Sequence, residues 1–146
     1  MTRVTHAVQV SKRPREVFEF LWTPEKLCLF MPFSDLQVLE RSEREIRTKQ
    51  NFTLGDETFA VTCVHQVSEP GRRIRFHSQE GPRLEGTWLL QDLGGGITKV
   101  TCVLEFETGG GFIARLKERL VHSKKLEELC QQALAKLKQT LEGQTD

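Results

Sequence analysis

Long apolar runs and an excess of charge of one sign are both missing from this sequence of 146 residues. No stretch approaches the roughly 18 apolar residues of a membrane-spanning helix, and residues 1–6 have no apolar signal-peptide core. Lys plus Arg number 21 against 20 for Asp plus Glu, unlike the basic excess of general nucleic-acid binders. We therefore predict a cytoplasmic protein with no nucleic acid among its partners.

Cysteine is scarce and scattered. The four positions share no CxxC spacing: Cys28, Cys63, Cys102 and Cys130. A zinc site or a disulfide framework needs clustered cysteines or many more of them. We interpret all four as free thiols that serve as small core hydrophobes, and we predict no metal site and no cofactor.

The motifs of common active sites are also missing. The sequence has no GxSxG nucleophile elbow, no P-loop, no GxGxxG after a strand and no HExxH zinc motif. Tyrosine is absent altogether, which removes one common phenolic acid. The sequence therefore leaves open whether the protein is an enzyme.

Apolar and polar residues alternate near the N-terminus and through the middle of the chain. Residues 3–11 alternate with period two, which predicts a strand. Pro14 and then Thr23-Pro24-Glu25 mark two short helices, with Thr23 as a capping hydroxyl, and Pro32 ends the second. Turn residues then divide the chain into six further strands, at about 35–41, 44–54, 57–67, 73–79, 83–92 and 97–107.

After Gly109–Gly111 the apolar period changes to 3.6, which predicts one amphipathic helix of about 30 residues with the glycines as its hinge. Short connections make consecutive strands antiparallel, because a parallel crossover needs a dozen or more residues. The predicted fold class is α+β: a curved seven-stranded antiparallel sheet wrapped around a long C-terminal helix, with two short helices after strand 1. Because a curved sheet and a straight helix cannot touch everywhere, we expect a gap between them.

Several segments resemble one known superfamily: Val8–Phe18, Glu85-Gly86-Thr87-Trp88, Gly94-Gly95-Gly96 and Thr98–Thr101. Through them the chain resembles the START-like polyketide cyclase/dehydrase and lipid-transport superfamily, which has the helix-grip fold, and within it the coenzyme-Q-binding START-like branch. The resemblance implies one ligand-binding domain over residues 1–146, with a core at about 3–142 and a frayed tail at 143–146. It also implies a deep hydrophobic pocket between the sheet and the long helix.

Two histidines are candidates for chemistry. Strand phase turns His6 and His65 toward the concave face of the sheet and His77 outward. A histidine in an apolar cavity can act as a general acid or base, because its charge changes near neutral pH. The alternative is a hydrogen-bonded core residue. Metal binding by this pair is disfavoured, since no third ligand is evident.

Thr48 and Gln50 are polar residues on a predicted pocket wall, where they share a strand face with Ile46 and Phe52. Polar groups in such a wall need partners. They therefore either fix a carbonyl or hydroxyl group of a ligand, or bond each other and trapped water. If the protein is an enzyme, the catalytic candidates are His65, Gln50, Thr48 and His6.

The predicted ligand-binding set is mainly apolar and aromatic. It comprises Phe30, Met31, Phe33, Thr48, Gln50, Phe52, Cys63, His65, Phe76, Trp88, Phe106, Ile113, Leu116 and Leu120. The alternative for its apolar members is ordinary core packing. We expect the segment Cys28–Phe33 to lie at the mouth of the pocket, where it would act as a lid.

One part of the long helix is basic. Its cations are Arg115, Lys117, Arg119, Lys124 and Lys125. They indicate either a transient contact with an anionic membrane surface or an acidic partner, or an ordinary solvated helix face.

Three functions fit these features, and a fold alone does not choose between them. The one we favour is binding or transport of a hydrophobic small molecule: a lipid, an isoprenoid or quinone, or a polyketide-like compound. The second is an aromatase/cyclase- or dehydratase-type enzyme, in which a shaped pocket holds a polyketide-like chain while polar residues move protons. The third is a protein-interaction module with a filled core.

Overall fold

Antiparallel strands make up most of the part of the chain that the structure describes. This computed structural model describes the backbone at residues 2–107 and 112–143, and the side chains at 2–107 and 123–143. The strands are β1 (Thr2–Val10), β2 (Phe33–Arg41), β3 (Glu45–Leu54), β4 (Glu57–Glu69), β5 (Arg73–Glu80), β6 (Arg83–Gly94) and β7 (Ile97–Glu107). The helices in these ranges are α1 (Pro14–Leu21), α2 (Pro24–Leu27) and α3 (Phe112–Glu142).

The strands form one antiparallel sheet in the order β1-β7-β6-β5-β4-β3-β2. Strands β2 to β7 are therefore neighbours in the order of the chain, as their short connections predict. Strand β1 joins at the far side of β7, where Val4 pairs with Leu104 and Val10 pairs with Thr98. The predicted α+β fold class, with its seven-stranded sheet and long C-terminal helix, is confirmed.

Helix α3 covers the inner face of the sheet, which carries most of the buried apolar residues. The buried stripe on its described half consists of Leu126, Cys130, Ala133, Leu134, Leu137 and Leu141. The thiol of Cys130 donates to the carbonyl oxygen of Cys102 on β7 over 3.8 Å. At the next turns, Lys138 Nζ donates to the carbonyl oxygen of Gln9 on β1 over 2.6 Å. The helix is thus fixed at the β1–β7 side of the sheet.

The structure explains two glycine motifs of the sequence, the Gly94–Gly96 turn and Gly86 in strand β6. Gly94, Gly95 and Gly96 all have positive φ, at 82°, 65° and 78°, a region that glycine enters without steric strain. Gly86 has a different reason, since it pairs directly with Phe76 on the neighbouring strand. A Cβ atom at position 86 would lie 2.1 Å from Cε1 of Phe76. The glycine therefore makes room for that aromatic ring.

The second short helix differs from its prediction. It ends at Leu27, and residues 28–32 form turns rather than a continuation to Pro32. Thr23 makes no side-chain cap, because its hydroxyl donates instead to the carbonyl oxygen of Glu19 over 2.8 Å.

The interpretation of the four cysteines as core residues is wrong for one of them. Cys28 is exposed, whereas Cys63, Cys102 and Cys130 are free and buried as predicted.

Some expectations fall on residues outside the described parts of the chain. They are the hinge at Gly109–Gly111, the tail at 144–146, and the side chains of Ile113, Arg115, Leu116, Lys117, Arg119 and Leu120. Among the described residues, no helix is long and apolar enough to span a bilayer.

We expect Gly86→Ala to lower the free energy of unfolding by about 1–3 kcal/mol, because a methyl group would be forced against a well-packed ring. In a Phe76→Leu background the same change should cost clearly less. Urea denaturation of the four proteins in this cycle measures both penalties. An equal penalty in the two backgrounds would show that Phe76 is not what excludes a side chain at position 86.

Candidate functional site

A cluster of polar side chains lies within the apolar inner face. Thr48 and Gln50 on β3 are 0% and 2% exposed, and His65 on β4 is 4% exposed. Residues 48 and 50 face the same side of β3 because side chains alternate along a strand. The antiparallel register sets Thr48 opposite Cys63 and Ile46 opposite His65. The predicted candidates Thr48, Gln50 and His65 therefore meet in one place.

Hydrogen bonds join the three residues in a fixed order. The hydroxyl of Thr48 donates to Oε1 of Gln50 over 2.8 Å. Oγ1 of Thr48 also lies 3.0 Å from Nε2 of His65. Because a threonine hydroxyl has one hydrogen, the second bond must be donated by Nε2–H of His65. The neutral imidazole thus carries its proton on Nε2.

The far side of the Gln50 amide is left without a partner. Its Nε2 atom is fully buried and, within the described residues, has no hydrogen-bond partner. The thiol of Cys63 lies near this amide. Burial raises the pKa of that thiol to about 12, and the proximity of Gln50 lowers it by a smaller amount. Sulphur is also a weak acceptor. A buried donor left unpaired costs about 1–3 kcal/mol, so this N–H is a strong candidate to bond a ligand.

His65 is held neutral by its surroundings. Burial lowers the pKa of its imidazole to about 4, and the charge of His77 adds to the effect. The ring of Phe76 lies against it, with 5.6 Å between the two ring centroids. At neutral pH the residue is therefore a hydrogen-bonding group and not a cation.

Aromatic rings connect this cluster to the segment after α2. Phe33 lies 6.4 Å from Phe76 and 6.0 Å from Phe52, measured between ring centroids. Phe52 in turn lies 5.6 Å from Phe106. In the same segment Phe30 meets the edge of Trp88 at 5.6 Å. Phe33, Phe52, Phe76 and Phe106 thus form one aromatic wall, which leads from residue 33 to His65 of the polar cluster, whereas Phe30 and Trp88 form a separate pair.

A groove opens beside this wall, and we call it the mouth groove. It has a volume of about 320 Å³. It is lined by Cys28, Leu29, Phe30, Met31, Pro32, Thr53, Leu54, Gly55, Lys125, Glu128, Leu129, Gln132, Ala133 and Lys136. Leu29 is 56% exposed there. The groove lies where the lid segment was expected.

The residues on the helix side of the mouth groove were not predicted to line a site. Of these residues, only Lys125 was named from the sequence, as part of the basic segment of the helix. The residues on this side recur at intervals of three and four, from Lys125 and Glu128 to Gln132 and Lys136. Residues at this spacing lie on one face of a helix. Helical periodicity could have shown that these residues share a face. Their polar side chains, however, are also what an ordinary solvent-exposed helix face carries.

His6 does not join the polar cluster. It lies on β1, where its Nε2 atom is 3.6 Å from Oε1 of Glu127 on α3. In the sheet, three strands (β7, β6 and β5) lie between β1, which carries His6, and β4, which carries His65, so the two histidines are far apart. Within the described ranges, no three His, Cys, Asp or Glu side chains converge as metal ligands would.

The family follows from comparison with known proteins. The profile of the polyketide cyclase/dehydrase and lipid transport family matches residues 10–126. The chain belongs to this family. A comparison with curated protein sequences finds no match.

Solved structures support the same fold. The protein TTHA0849 from Thermus thermophilus superposes with a TM-score of 0.84 at 22% identity, covering 99% of each chain. The Zhui aromatase/cyclase from Streptomyces sp. R1128 gives 0.83 at 18% identity, over 96% of this chain and 93% of its own. A START superfamily protein from Mycobacterium smegmatis gives 0.65 at 16%, over 90% and 99%. At these identities the likeness establishes the helix-grip fold alone.

The buried, neutral His65 makes stability depend on pH. The unfolded chain takes up a proton near pH 6.5, whereas the folded chain does so only near pH 4. Between these values the unfolded state binds more protons, so the stability present above pH 6.5 is lost as the pH falls. From pH 7.5 to 4.5 we expect this residue alone to remove about 2–3 kcal/mol from the free energy of unfolding.

The variant His65→Gln should lose most of that pH dependence, because its amide can still bond Thr48 but does not titrate. Urea denaturation at the two pH values measures the difference. The comparison variant is His77→Gln, which removes a half-buried histidine from the outer face together with its smaller contribution to the lowered pKa of His65, and it should keep most of the pH dependence. If both variants keep the dependence of the wild type, His65 is not its source.

Proposed function

We propose that this protein binds a hydrophobic small molecule between the sheet and α3, with the Thr48–Gln50–His65 cluster at the inner end of the site. The single observation that carries the proposal is the buried Gln50 amide nitrogen, which has no hydrogen-bond partner among the described residues of a largely apolar core. Ligand sites commonly combine apolar walls with a few placed polar groups. Membership of a family that includes lipid-transport proteins supports the same function.

The mouth groove is the proposed entry route. Its volume of about 320 Å³ is at the lower end of the range of small-molecule sites. One wall consists of Phe30 and Met31, which belong to the predicted lid and ligand-binding set. From Phe33, at the end of this segment, the aromatic wall continues inward to Phe76, the ring against which His65 rests. A ligand that enters through the groove would thus stay in contact with apolar side chains on its way to the polar cluster.

Carriage is favoured over catalysis by the state of His65. A general acid or base works best when its pKa is near the working pH. With a pKa of about 4, His65 is unprotonated at neutral pH, and it is a weak base. It cannot act as an acid there without first taking up a proton at a substantial free-energy cost.

An aromatase/cyclase-type activity is the second candidate. It is favoured by the convergence of Thr48, Gln50 and His65, since polar groups within an apolar site can orient a reactive chain. The Zhui aromatase/cyclase shares the fold over most of both chains. The variant His65→Gln separates the candidates, because a carrier should still bind ligand whereas an enzyme that uses the imidazole should lose turnover.

Several narrower expectations stay predictions. They are the likeness to the coenzyme-Q-binding branch, the cytoplasmic location, and a contact of the basic helix with a membrane surface or an acidic partner. Of the basic residues with described side chains, Lys124 is exposed, and Lys125 lies over Gly55 in the mouth groove.

Binding of an apolar fluorescent probe tests the proposed function and its entry route. We expect 1-aminoanthracene to bind saturably to the wild type, with the emission shift of an apolar site. Gln132→Trp places a large side chain in the mouth groove and should slow association several-fold in stopped-flow measurements. Its matched control is Gln131→Trp, which is one position away and outside that groove. Absence of saturable binding would contradict the proposal, and equal slowing in both variants would contradict the route.

A further inference from the structure

We infer that the interior site takes an uncharged ligand that presents a carbonyl oxygen to the amide nitrogen of Gln50, as a ketone does, rather than a carboxylate or a plain hydrocarbon. This inference rests on the proposed function and narrows it to a class of compound. It follows from two observations: the hydrogen bonds already formed within the polar cluster, and the burial of the cluster, which disfavours a charged group there.

The bonding pattern of the cluster leaves a donor for the ligand. The Thr48 hydrogen is used on Oε1 of Gln50, and the Nε2 hydrogen of His65 is used on Oγ1 of Thr48. Among the described residues, Nε2 of Gln50 is the one fully buried polar atom of this cluster that has no hydrogen-bond partner. A ligand that satisfies it must therefore bring an acceptor.

The chain of bonds also fixes the direction of that donor. Oε1 of Gln50 is held by Thr48, and Thr48 is held by the ring of His65. While Oε1 accepts from Thr48, the N–H end of the amide points away from Thr48 and has a defined position. The site is thus preorganised for an acceptor before a ligand arrives, which lowers the entropy lost on binding.

Charge in the ligand is disfavoured at this place. The same burial that keeps the imidazole of His65 unprotonated would also penalise a carboxylate. Among the described residues, the buried polar side chains are threonines, one glutamine and one histidine, with no Lys or Arg to pair with an anion. A buried unpaired carboxylate takes up a proton or stays in water. A carboxylate end is therefore a poor match for Gln50.

An alcohol is a weaker match than a ketone. Its oxygen can accept from Gln50, but its own hydrogen then needs an acceptor. The nearest oxygens of the cluster, Oγ1 of Thr48 and Oε1 of Gln50, already accept one hydrogen bond each, so a hydroxyl hydrogen would have to share an acceptor that is in use. A carbonyl group brings no hydrogen that needs a place.

Four naphthalenes of matched size test the inference: 2-acetonaphthone, 1-(2-naphthyl)ethanol, 2-naphthoate and 2-ethylnaphthalene. Their rings suit the aromatic wall, and they differ mainly in the polar group. Affinities are measured at pH 7.5 by displacement of 1-aminoanthracene. We expect the ketone to bind about tenfold more tightly than the hydrocarbon, the value of one buried hydrogen bond, with the alcohol between them and the carboxylate weakest.

Variants at Gln50 assign the preference to its amide. Gln50→Leu should abolish the advantage of the ketone over the hydrocarbon. Gln50→Met is the second variant, because its unbranched chain keeps the shape if leucine disturbs folding. The control is Gln91→Leu, an exposed position on β6, which should keep the preference of the wild type.

A spectroscopic readout checks the contact itself. The infrared carbonyl band of bound 2-acetonaphthone should shift to lower wavenumber in the wild type and not in the Gln50 variants. Equal affinities for ketone and hydrocarbon, or tighter binding of the carboxylate, would overturn the inference while the proposed function stands. A wild type that binds neither 1-aminoanthracene nor any of the four compounds would overturn both.

Discussion

The N–H group of Gln50 is buried in a largely apolar interior, where hydrogen-bond acceptors are scarce. Folding brings this amide out of water, and within the described residues only its carbonyl end has a hydrogen-bond partner. An unpaired buried donor is costly, and leucine would remove that cost at a similar volume. The rest of the site is consistent with a ligand that brings the missing acceptor, since Thr48 and His65 hold the amide in place.

The fold creates this situation through simple constraints. Alternation along β3 sets Thr48 and Gln50 toward the interior, and antiparallel pairing brings His65 within reach from β4. Gly86 leaves room for the ring of Phe76, on which His65 rests. Helix α3 closes the inner face at the β1–β7 side, whereas the segment after α2 lies at the mouth groove. The polar cluster is thus buried in a largely apolar core, with the ring of Phe76 against His65 and no buried Asp, Glu, Lys or Arg in the described part of the chain.

Sequence patterns predict the faces of strands better than they predict neighbours. Period two was sufficient to turn Thr48, Gln50 and His65 inward, because alternation depends only on the local chain. It could not show that His6 lies away from them, since that depends on β1 joining the sheet beside β7. It also missed the early end of α2, where the hydroxyl of Thr23 bonds Glu19 instead of capping the helix. Competition between two local hydrogen bonds is decided by tertiary packing, which a local pattern does not contain.

The most direct measurement is the side-chain amide signal of Gln50 in a two-dimensional ¹H–¹⁵N spectrum, assigned by its absence from Gln50→Met. On addition of 2-acetonaphthone, we predict that this signal moves downfield, as for a donor that gains an acceptor. The signals of exposed glutamines such as Gln91 should stay in place. A saturated complex in which the Gln50 signal does not move would contradict the account, because the ligand would then be bound without the group that defines the site.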